Sequence, residues 1–191
     1  MEQPGWRLRK PEAGDIDAML ELNYAIYPEE WHVDRSYVEK VMSLNPEVYN
    51  VLETPEGIQG IFSLFPLPQP SYERMLQGTL EEDELTAHLL DYRNPGPVWL
   101  YLISLIVDIR SPQRRAYARS LIRAIPDELR RLGAAGIDVQ EIGAIAVTGD
   151  GDRSLQRIGF AAAGTVPFYG RDYPVYRARP EDLYRAIGGP E

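Results

Sequence analysis

An almost uninterrupted apolar segment, VWLYLISLIV from Val98 to Val107, constrains the fold more than any other part of the sequence. The segment has the length of a β-strand and is too short to cross a bilayer as a helix. Because apolar and polar residues do not alternate along it, both of its faces should be buried. We therefore predict that Val98–Val107 is the central strand of a sheet.

The remaining elements follow from periodicity and from turn signals. Asp15 and Asp34 are expected to cap two helices, and Thr79 with Glu82 has capping-box spacing, so the helical stretch there should divide in two. Pro126 should kink or split the helix that contains it. In chain order we predict a strand, two helices, a hairpin, an inserted helical segment, the central strand, and then helix, strand, helix and two strands: residues 6–9, 16–27, 35–44, 49–53, 58–65, 71–92, 98–107, 115–132, 142–147, 152–158, 160–169 and 174–178.

The chain length of 191 residues suits one domain. We predict that residues 1–178 form this single domain and that residues 179–191 form a polar C-terminal tail, with one short helix around residues 181–187. This element pattern indicates an α/β (α+β) fold.

Composition excludes several classes of function. The chain has no cysteine and only two histidines, so we expect no disulfide framework, no zinc–thiolate site and no metal. A net charge of −9 disfavours nucleic acid as a partner and suits a cationic one. Neither a signal core nor a membrane-crossing run is found, which leads us to expect a cytoplasmic protein without a membrane partner.

The loop from Asp108 to Arg115, DIRSPQRR, joins the central strand to a helix and is rich in cations. Gln113, Arg114, Arg115 and Arg119 cluster at the helix N-terminus. Cations destabilise that end of a bare helix but are favourable if an anion binds there. The alternatives are therefore a phosphate site and a solvated, arginine-rich helix start; a Walker loop is excluded because no Gly-Lys-Ser/Thr follows.

The spacing Val107-(x)5-Gln113-x-x-Ala116-x-Ala118, followed by Leu121-Ile122, resembles the acetyl-CoA signature of the GNAT superfamily of N-acyltransferases. Ala116 stands where the first glycine of that signature is usual. Residues 157–160, Arg-Ile-Gly-Phe, are similar to the later helix–Gly-Phe–strand motif of the superfamily, and residues 7–20 fit its start.

The resemblance implies a mixed, mostly antiparallel central sheet flanked by helices, here with a helical insertion before the central strand. It also implies acetyl-CoA (coenzyme A) as cofactor, entering between the central strand and the next one where the two splay apart. Main-chain groups of the strand would bind the pantetheine arm, and main-chain amides of the helix start would hold the pyrophosphate. The cofactor-binding residues expected on this basis are Leu105, Ile106, Val107, Gln113, Arg114, Arg115, Ala116, Tyr117, Ala118 and Arg119.

The catalytic groups usual in the superfamily are a glutamate near the central strand and a tyrosine on the late helix. The sequence departs from both, since the central strand has no carboxylate and Leu155 occupies the tyrosine position. The sequence leaves open which residues replace these two groups. Tyr101 or Ser104 would line the acceptor pocket, and Glu141 would act as the base. Tyr169 or Tyr173 would protonate the thiolate. For each of these residues, core packing is the competing interpretation.

Two regions combine aromatic residues with carboxylates and are candidates for the acceptor site. One is the segment 24–32, which contains Tyr24 and Tyr27, and the other is the insertion 66–97, which contains the acidic run Glu81–Glu84. The competing interpretations are core packing for the tyrosines and a solvated first helical turn for the acidic run.

These observations predict an N-acetyltransferase that acts on a small-molecule or protein amine. The alternatives are a catalytically weak or inactive acyl-CoA-binding module and an enzyme for longer acyl chains. Whether the protein forms a homodimer is left open.

Overall fold

A computed structural model of the protein describes residues 5–188. Within these residues the sheet consists of seven strands, β1 to β7. Six α-helices and three short 3-10 helices accompany it. The bounds are β1 Arg7–Arg9, α1 Ile16–Ile26, α2 Arg35–Leu44, β2 Tyr49–Thr54, β3 Gly57–Leu67, α3 Gln69–Leu76, β4 Gly96–Val107, α4 Arg114–Ala134, β5 Ile137–Ile145, α5 Gly149–Arg157, β6 Ala161–Phe168, β7 Arg171–Ala178 and α6 Pro180–Ile187, with 3-10 helices at Ala13–Asp15, Glu29–Trp31 and Glu82–Ala87.

The strand order β1-β2-β3-β4-β5-β7-β6 places β4 in the middle of the sheet. The β4–β5 pair is parallel, and the other neighbouring pairs are antiparallel. Three consecutive residues of β4, Leu100–Leu102, are buried, so both faces of this strand are covered. The predicted central strand and the predicted mixed, mostly antiparallel sheet are confirmed.

Strands β4 and β5 pair over only part of their length. Their ladder runs from Gly96–Ile137 to Tyr101–Gly143, and from there β5 continues along β7 while β4 continues along β3. In the β3–β4 ladder, Ser63 faces Ser104 and Leu64 faces Leu102, which leaves Ile103 as the extra residue of a β-bulge. The two strands therefore part beyond Tyr101, and the edge of β4 from Leu102 to Val107 faces a cleft.

Helix α4 runs through Pro126 without splitting, contrary to one of the two outcomes that we predicted. Proline removes one hydrogen bond from a helix interior, but burial of an apolar stripe on both sides of Pro126 offsets that loss. The buried residues of this stripe are Tyr117, Leu121, Ile125, Leu129 and Leu132.

The caps differ from the predicted ones at two of three places. Asp34 accepts a hydrogen bond from the Tyr37 amide at 2.8 Å, as predicted. Asp15 instead binds the guanidinium of Arg9 at 2.6 Å, so its carboxylate does not cap α1. The charge-assisted hydrogen bond from Arg9 is stronger than a hydrogen bond from a main-chain amide of α1, so the carboxylate binds Arg9.

The insertion forms two short helices, as predicted, but its cap is shifted by two residues. The main-chain amide of Glu81 donates to the carboxylate of Glu84 at 2.9 Å, and the Thr79 hydroxyl donates to the carbonyl of Arg74. Glu82 is consequently not part of a capping box, and its carboxylate is available for another role.

The segment after β7 forms α6, where a short helix was predicted. Leu183 of this helix is fully buried, and α6 packs against α4. The division of the chain at residue 178 stays a prediction.

We predict that Gly143→Ala lowers the free energy of unfolding by about 1–3 kcal/mol through overpacking. A Cβ at Gly143 would lie 2.6 Å from the Leu76 side chain and 2.7 Å from the Tyr72 hydroxyl. Gly133→Ala is the control, because no atom lies within 4 Å of its Cβ position in α4, and it should stabilise the protein by about 0.5–1 kcal/mol. Urea denaturation measures both changes, and equal stability of the two variants would refute this account of the packing.

Candidate functional site

The cleft between β4 and β5 is a cavity of about 600 Å³. The open edge of β4 forms one wall, with Leu105, Ile106 and Val107 among the lining residues. The first two turns of α4 contribute Arg114, Arg115 and Ala118, and α5 forms the far wall. Six of the ten residues expected to bind the cofactor therefore lie together at one cavity.

The other four expected residues, Gln113, Ala116, Tyr117 and Arg119, are not in the lining of this cavity. Tyr117 faces the core, where it is buried and packs edge-to-face on Trp6 at 5.3 Å between ring centroids. The carbonyl of Gln113 accepts hydrogen bonds from the amides of Ala116 and Tyr117 at 2.8 and 3.1 Å. These two amides, which the resemblance assigned to the pyrophosphate, are thus engaged within the first turn of α4.

Tyr27, which follows α1, reaches the open edge of β4. Burial raises the pKa of Tyr27, with Glu82 raising it further and the main chain of Leu105 opposing the shift. Tyr27 lines the cleft together with Leu105 and Ile106 of β4.

The late helix α5 begins after Thr148, whose hydroxyl accepts from the Gly151 amide at 3.0 Å. Leu155 is buried and lines the cleft, so the position where the superfamily's tyrosine would stand presents an aliphatic side chain. Arg153 and Arg157 also lie along this wall, and Arg153 pairs with Asp150.

A second, smaller cavity of about 50 Å³ lies beside the first, between α1, the insertion and β4. Tyr101 and Ser104, two of the predicted site residues, line it together with aromatic and aliphatic side chains. Tyr27, Ile103 and Ile106 line both cavities. The two cavities therefore meet at the β4 bulge.

Glu82 lines the smaller cavity. Its Oε1 accepts a hydrogen bond from the Tyr101 hydroxyl at 3.2 Å, and its main-chain carbonyl accepts one from Tyr37 at 2.8 Å. Burial raises the pKa of Glu82 to about 8; the hydrogen bond from Tyr101 opposes this shift. The residue as a whole is half-buried, but the carboxylate faces buried Tyr101, which is only 2% exposed.

Glu141 lies outside the lining of both cavities. Its carboxylate accepts hydrogen bonds from Tyr72 and from Arg177, each at 2.8 Å, and Arg177 also binds Glu73 at 2.7 Å. The structure thus places Glu141 in an ion-pair network that joins α3 to β5 and β7, and it does not bring this residue to the cleft.

Tyr169 and Tyr173 lie at the β6–β7 hairpin, on the side of the smaller cavity. Both pack edge-to-face on Trp31, with ring centroids 5.4 and 5.3 Å away. Tyr173 is buried and its hydroxyl accepts from Trp31 Nε1 at 3.4 Å, whereas Tyr169 is 48% exposed. Neither residue lines the larger cleft.

Sequence reasoning assigned no catalytic role to Glu82 or Tyr27. Both residues lie in the regions that we proposed for the acceptor site. Glu82, however, belongs to an acidic run that is typical of a solvated first helical turn. The aromatic partners that surround it come from β4 and α2, far apart in sequence. Nothing local to residues 81–84 distinguishes the carboxylate that faces inward.

Within residues 5–188 the structure has no cluster of three or more potential metal-ligating residues. Over the same range, none of the helices combines the length and apolarity that a membrane span requires.

No protein-family model matches the sequence, and neither does any curated protein sequence. Solved structures do match. A GNAT-family acetyltransferase from Streptococcus agalactiae is 13% identical with a TM-score of 0.56, covering 91% of this chain and 94% of that one. The loading GNATL domain of CurA from Lyngbya majuscula is 12% identical with a TM-score of 0.65, covering 92% and 98%.

Naa50 from Arabidopsis thaliana, solved with the bisubstrate analogue CoA-Ac-MVNAL, is 12% identical with a TM-score of 0.58, covering 92% of this chain and 99% of that one. At such identities the likeness concerns the fold, and each match extends over nearly the whole of both chains. Together with the parted β4–β5 pair and the strand–loop–helix that follows β4, these matches show that the chain has the GNAT fold.

Proposed function

We propose that the protein is an N-acyltransferase that transfers an acetyl group from acetyl-CoA to a primary amine. The observation that carries this proposal is the meeting of two unlike cavities at the β4 bulge. One offers an open strand edge and a cationic helix start, and the other offers a carboxylate in an aromatic chamber. That arrangement suits an anionic, elongated acyl donor on one side and an amine on the other.

The larger cleft fits coenzyme A. Its volume of about 600 Å³ is within the usual range for ligand sites. A pantetheine arm has amides that can pair with the open edge of β4 as an added strand would. Arg114 and Arg115 supply charge for the diphosphate at the α4 N-terminus. Since the amides of Ala116 and Tyr117 are already engaged, we assign more of the diphosphate binding to these arginines.

Acetyl-CoA supplies the activated thioester, so the protein must position the amine and manage two protons. Glu82 is placed to take the proton from the amine. Its pKa of about 8 lies closer to that of an ammonium group than the pKa of an exposed glutamate does, which favours proton transfer. Tyr101 holds the carboxylate, and Tyr37 holds the main chain that carries it.

Tyr27 is placed to donate a proton to the leaving thiolate. It lines both cavities, and its raised pKa keeps the hydroxyl protonated at neutral pH. This role replaces the one that the sequence reserved for Tyr169 or Tyr173, which lie on the far side of Trp31.

A binding module without catalysis is the second candidate function. The observation that favours it is the aliphatic Leu155 in the wall of the cleft, at the position usual for the superfamily's acid. If the protein binds acetyl-CoA but releases no free thiol with any amine of a panel, the binding module is the correct function.

Arg115→Glu should weaken coenzyme A binding at least about tenfold, which corresponds to about 1.4 kcal/mol. An acidic residue near a helix N-terminus does not harm the helix, so the loss would report on the ligand. Arg119→Glu, one turn further and outside the lining, is the matched control and should change the Kd less than about threefold. Calorimetric titration with coenzyme A measures both, and equal losses would contradict the assignment.

Glu82→Gln should lower kcat about 100-fold and abolish a rise in kcat/KM with pH that levels off near pH 8. Below that pH the carboxyl is protonated and cannot act as a base. Trifluoroethylamine is the substrate of choice because it is already neutral over this range, so the profile reports only the proton that Glu82 takes from the amine nitrogen as it attacks the thioester. Glu81→Gln, next to it on the exposed surface, is the control and should keep the wild-type profile.

The same substitution should raise Tm at pH 8–9. The pKa of Glu82 is higher in the folded state than in the unfolded one, so its ionisation costs stability progressively as pH rises from about 4.5 to about 8. Glutamine does not ionise and avoids this cost. A Tm difference that is independent of pH would argue that the carboxylate is not buried in the way described.

Tyr27→Phe should lower kcat about 10- to 100-fold while leaving the Kd for coenzyme A within about twofold. The substitution removes only the hydroxyl, and the phenyl ring keeps the wall between the cavities intact. Tyr24→Phe, on the same helix but 43% exposed, is the control. Retention of wild-type kcat in Tyr27→Phe would eliminate this residue as proton donor.

A further inference from the structure

We infer that the acceptor is a primary amine with no carboxylate beside its amino group, and that free amino acids are rejected. This inference rests on the proposed function and names the class of amine that the smaller cavity takes. It follows from the hydrogen-bonding groups and charges of that cavity.

The smaller cavity offers hydrogen-bond acceptors. Glu82 lines it with a carboxyl group that is protonated below about pH 8 and negatively charged above that pH. Asn23 also lines it, and its Oδ1 is buried without a hydrogen-bond partner. A buried acceptor that lacks a donor is costly, and an ammonium group brings three donors. The pair of acceptors therefore matches an amine that enters as its ammonium form.

The same cavity offers nothing to a carboxylate. Among the described residues that line it, none is a lysine, arginine or histidine. A substrate carboxylate would lose its hydration without gaining a cationic partner, and it would lie in the same small chamber as Glu82. At about 50 Å³ the chamber keeps the two carboxyl groups close together, so they repel each other once Glu82 is ionised above about pH 8.

The surroundings of Trp31, which lines the cavity, are acidic as well. Tyr169, which packs on Trp31 of the lining, has a pKa that is raised by its partial burial and by the nearby charges of Glu82, Glu81, Asp83 and Glu30. This potential attracts cations and repels anions before they reach the site.

The walls favour an apolar amine body. Tyr27, Trp31, Tyr37, Tyr49 and Tyr101 surround the carboxylate with aromatic rings. Ring faces attract an ammonium group, and their apolar surface covers alkyl or aryl groups. Small alkylamines combine both properties and suit a chamber of about 50 Å³, so they are the class that the cavity fits.

The test compares compounds of equal size that differ in one charge. Alaninamide is paired with alanine, glycinamide with glycine, and propylamine and ethylamine serve as references without a carboxyl group; all are compared at about pH 9, where Glu82 is ionised. We expect kcat/KM for each amide to exceed that for its amino acid at least about 100-fold, or about 2.7 kcal/mol. Thiol release with acetyl-CoA measures the rates.

Comparable rates for an amide and its amino acid would overturn the inference and leave the proposed function standing. Rejection of both amides alongside acceptance of the simple amines would also overturn it, since size would then be the cause. Coenzyme A binding without turnover of any compound would instead defeat the proposed function.

Asn23→Leu supplies an independent test of the unpartnered acceptor. It should raise KM for the amine at least about fivefold, with KM for acetyl-CoA unchanged. A purely structural role would leave the amine KM unaltered, and that result would remove Asn23 from the site. Because the substitution removes a buried group without a partner, we expect Tm to be retained or raised.

Discussion

The parting of β4 and β5 beyond Tyr101 is the constraint on which the site depends. Beyond Gly143, β5 keeps its pairing with β7 at Ala144 and Ile145 but no longer pairs with β4. Beyond Tyr101, β4 keeps its pairing with β3, across the bulge at Ile103, but no longer pairs with β5. Each strand is thus held by its outer neighbour, and a stretch of unpaired main chain is kept inside the protein. Such an edge needs a polar partner, and an extended ligand can supply it.

The insertion before β4 supplies the second half of the site and is attached firmly to the sheet. Its first helix is held by Arg177, which binds Glu73 and Glu141, and Tyr72 donates to Glu141 as well. Its 3-10 helix is held by the Tyr37 hydroxyl. Glu82 therefore stands on a supported element, which the role of base that we propose for it requires.

The sequence allowed most of the framework to be predicted, because long apolar periodicities report burial directly. The apolar segment Val98–Val107 indicated a central strand, and the polar loop after it was correctly predicted to lead into a helix, α4. The cap at Asp34 was also correct, since Asp34 and the Tyr37 amide it accepts from are neighbours in the chain. Predictions failed where a partner on another element decided the outcome: Arg9 of β1 binds the carboxylate of Asp15, and Arg177 of β7 binds that of Glu141. The packing of the whole helix outweighed the effect of Pro126. The inward direction of Glu82 depends on Tyr101 of β4 and Tyr37 of α2, so no local sequence pattern indicates it.

The shared wall of the two cavities has a consequence for the donor as well as for the acceptor. Tyr27, Ile103 and a few aliphatic residues line both the cleft and the aromatic chamber. Under the proposed function, an acyl group longer than acetyl would extend into the space that the amine must occupy, so acyl length and amine bulk would compete for one volume. The proposed enzyme would then select the combined size of its two substrates, and a change that admits a longer donor would narrow the range of acceptors.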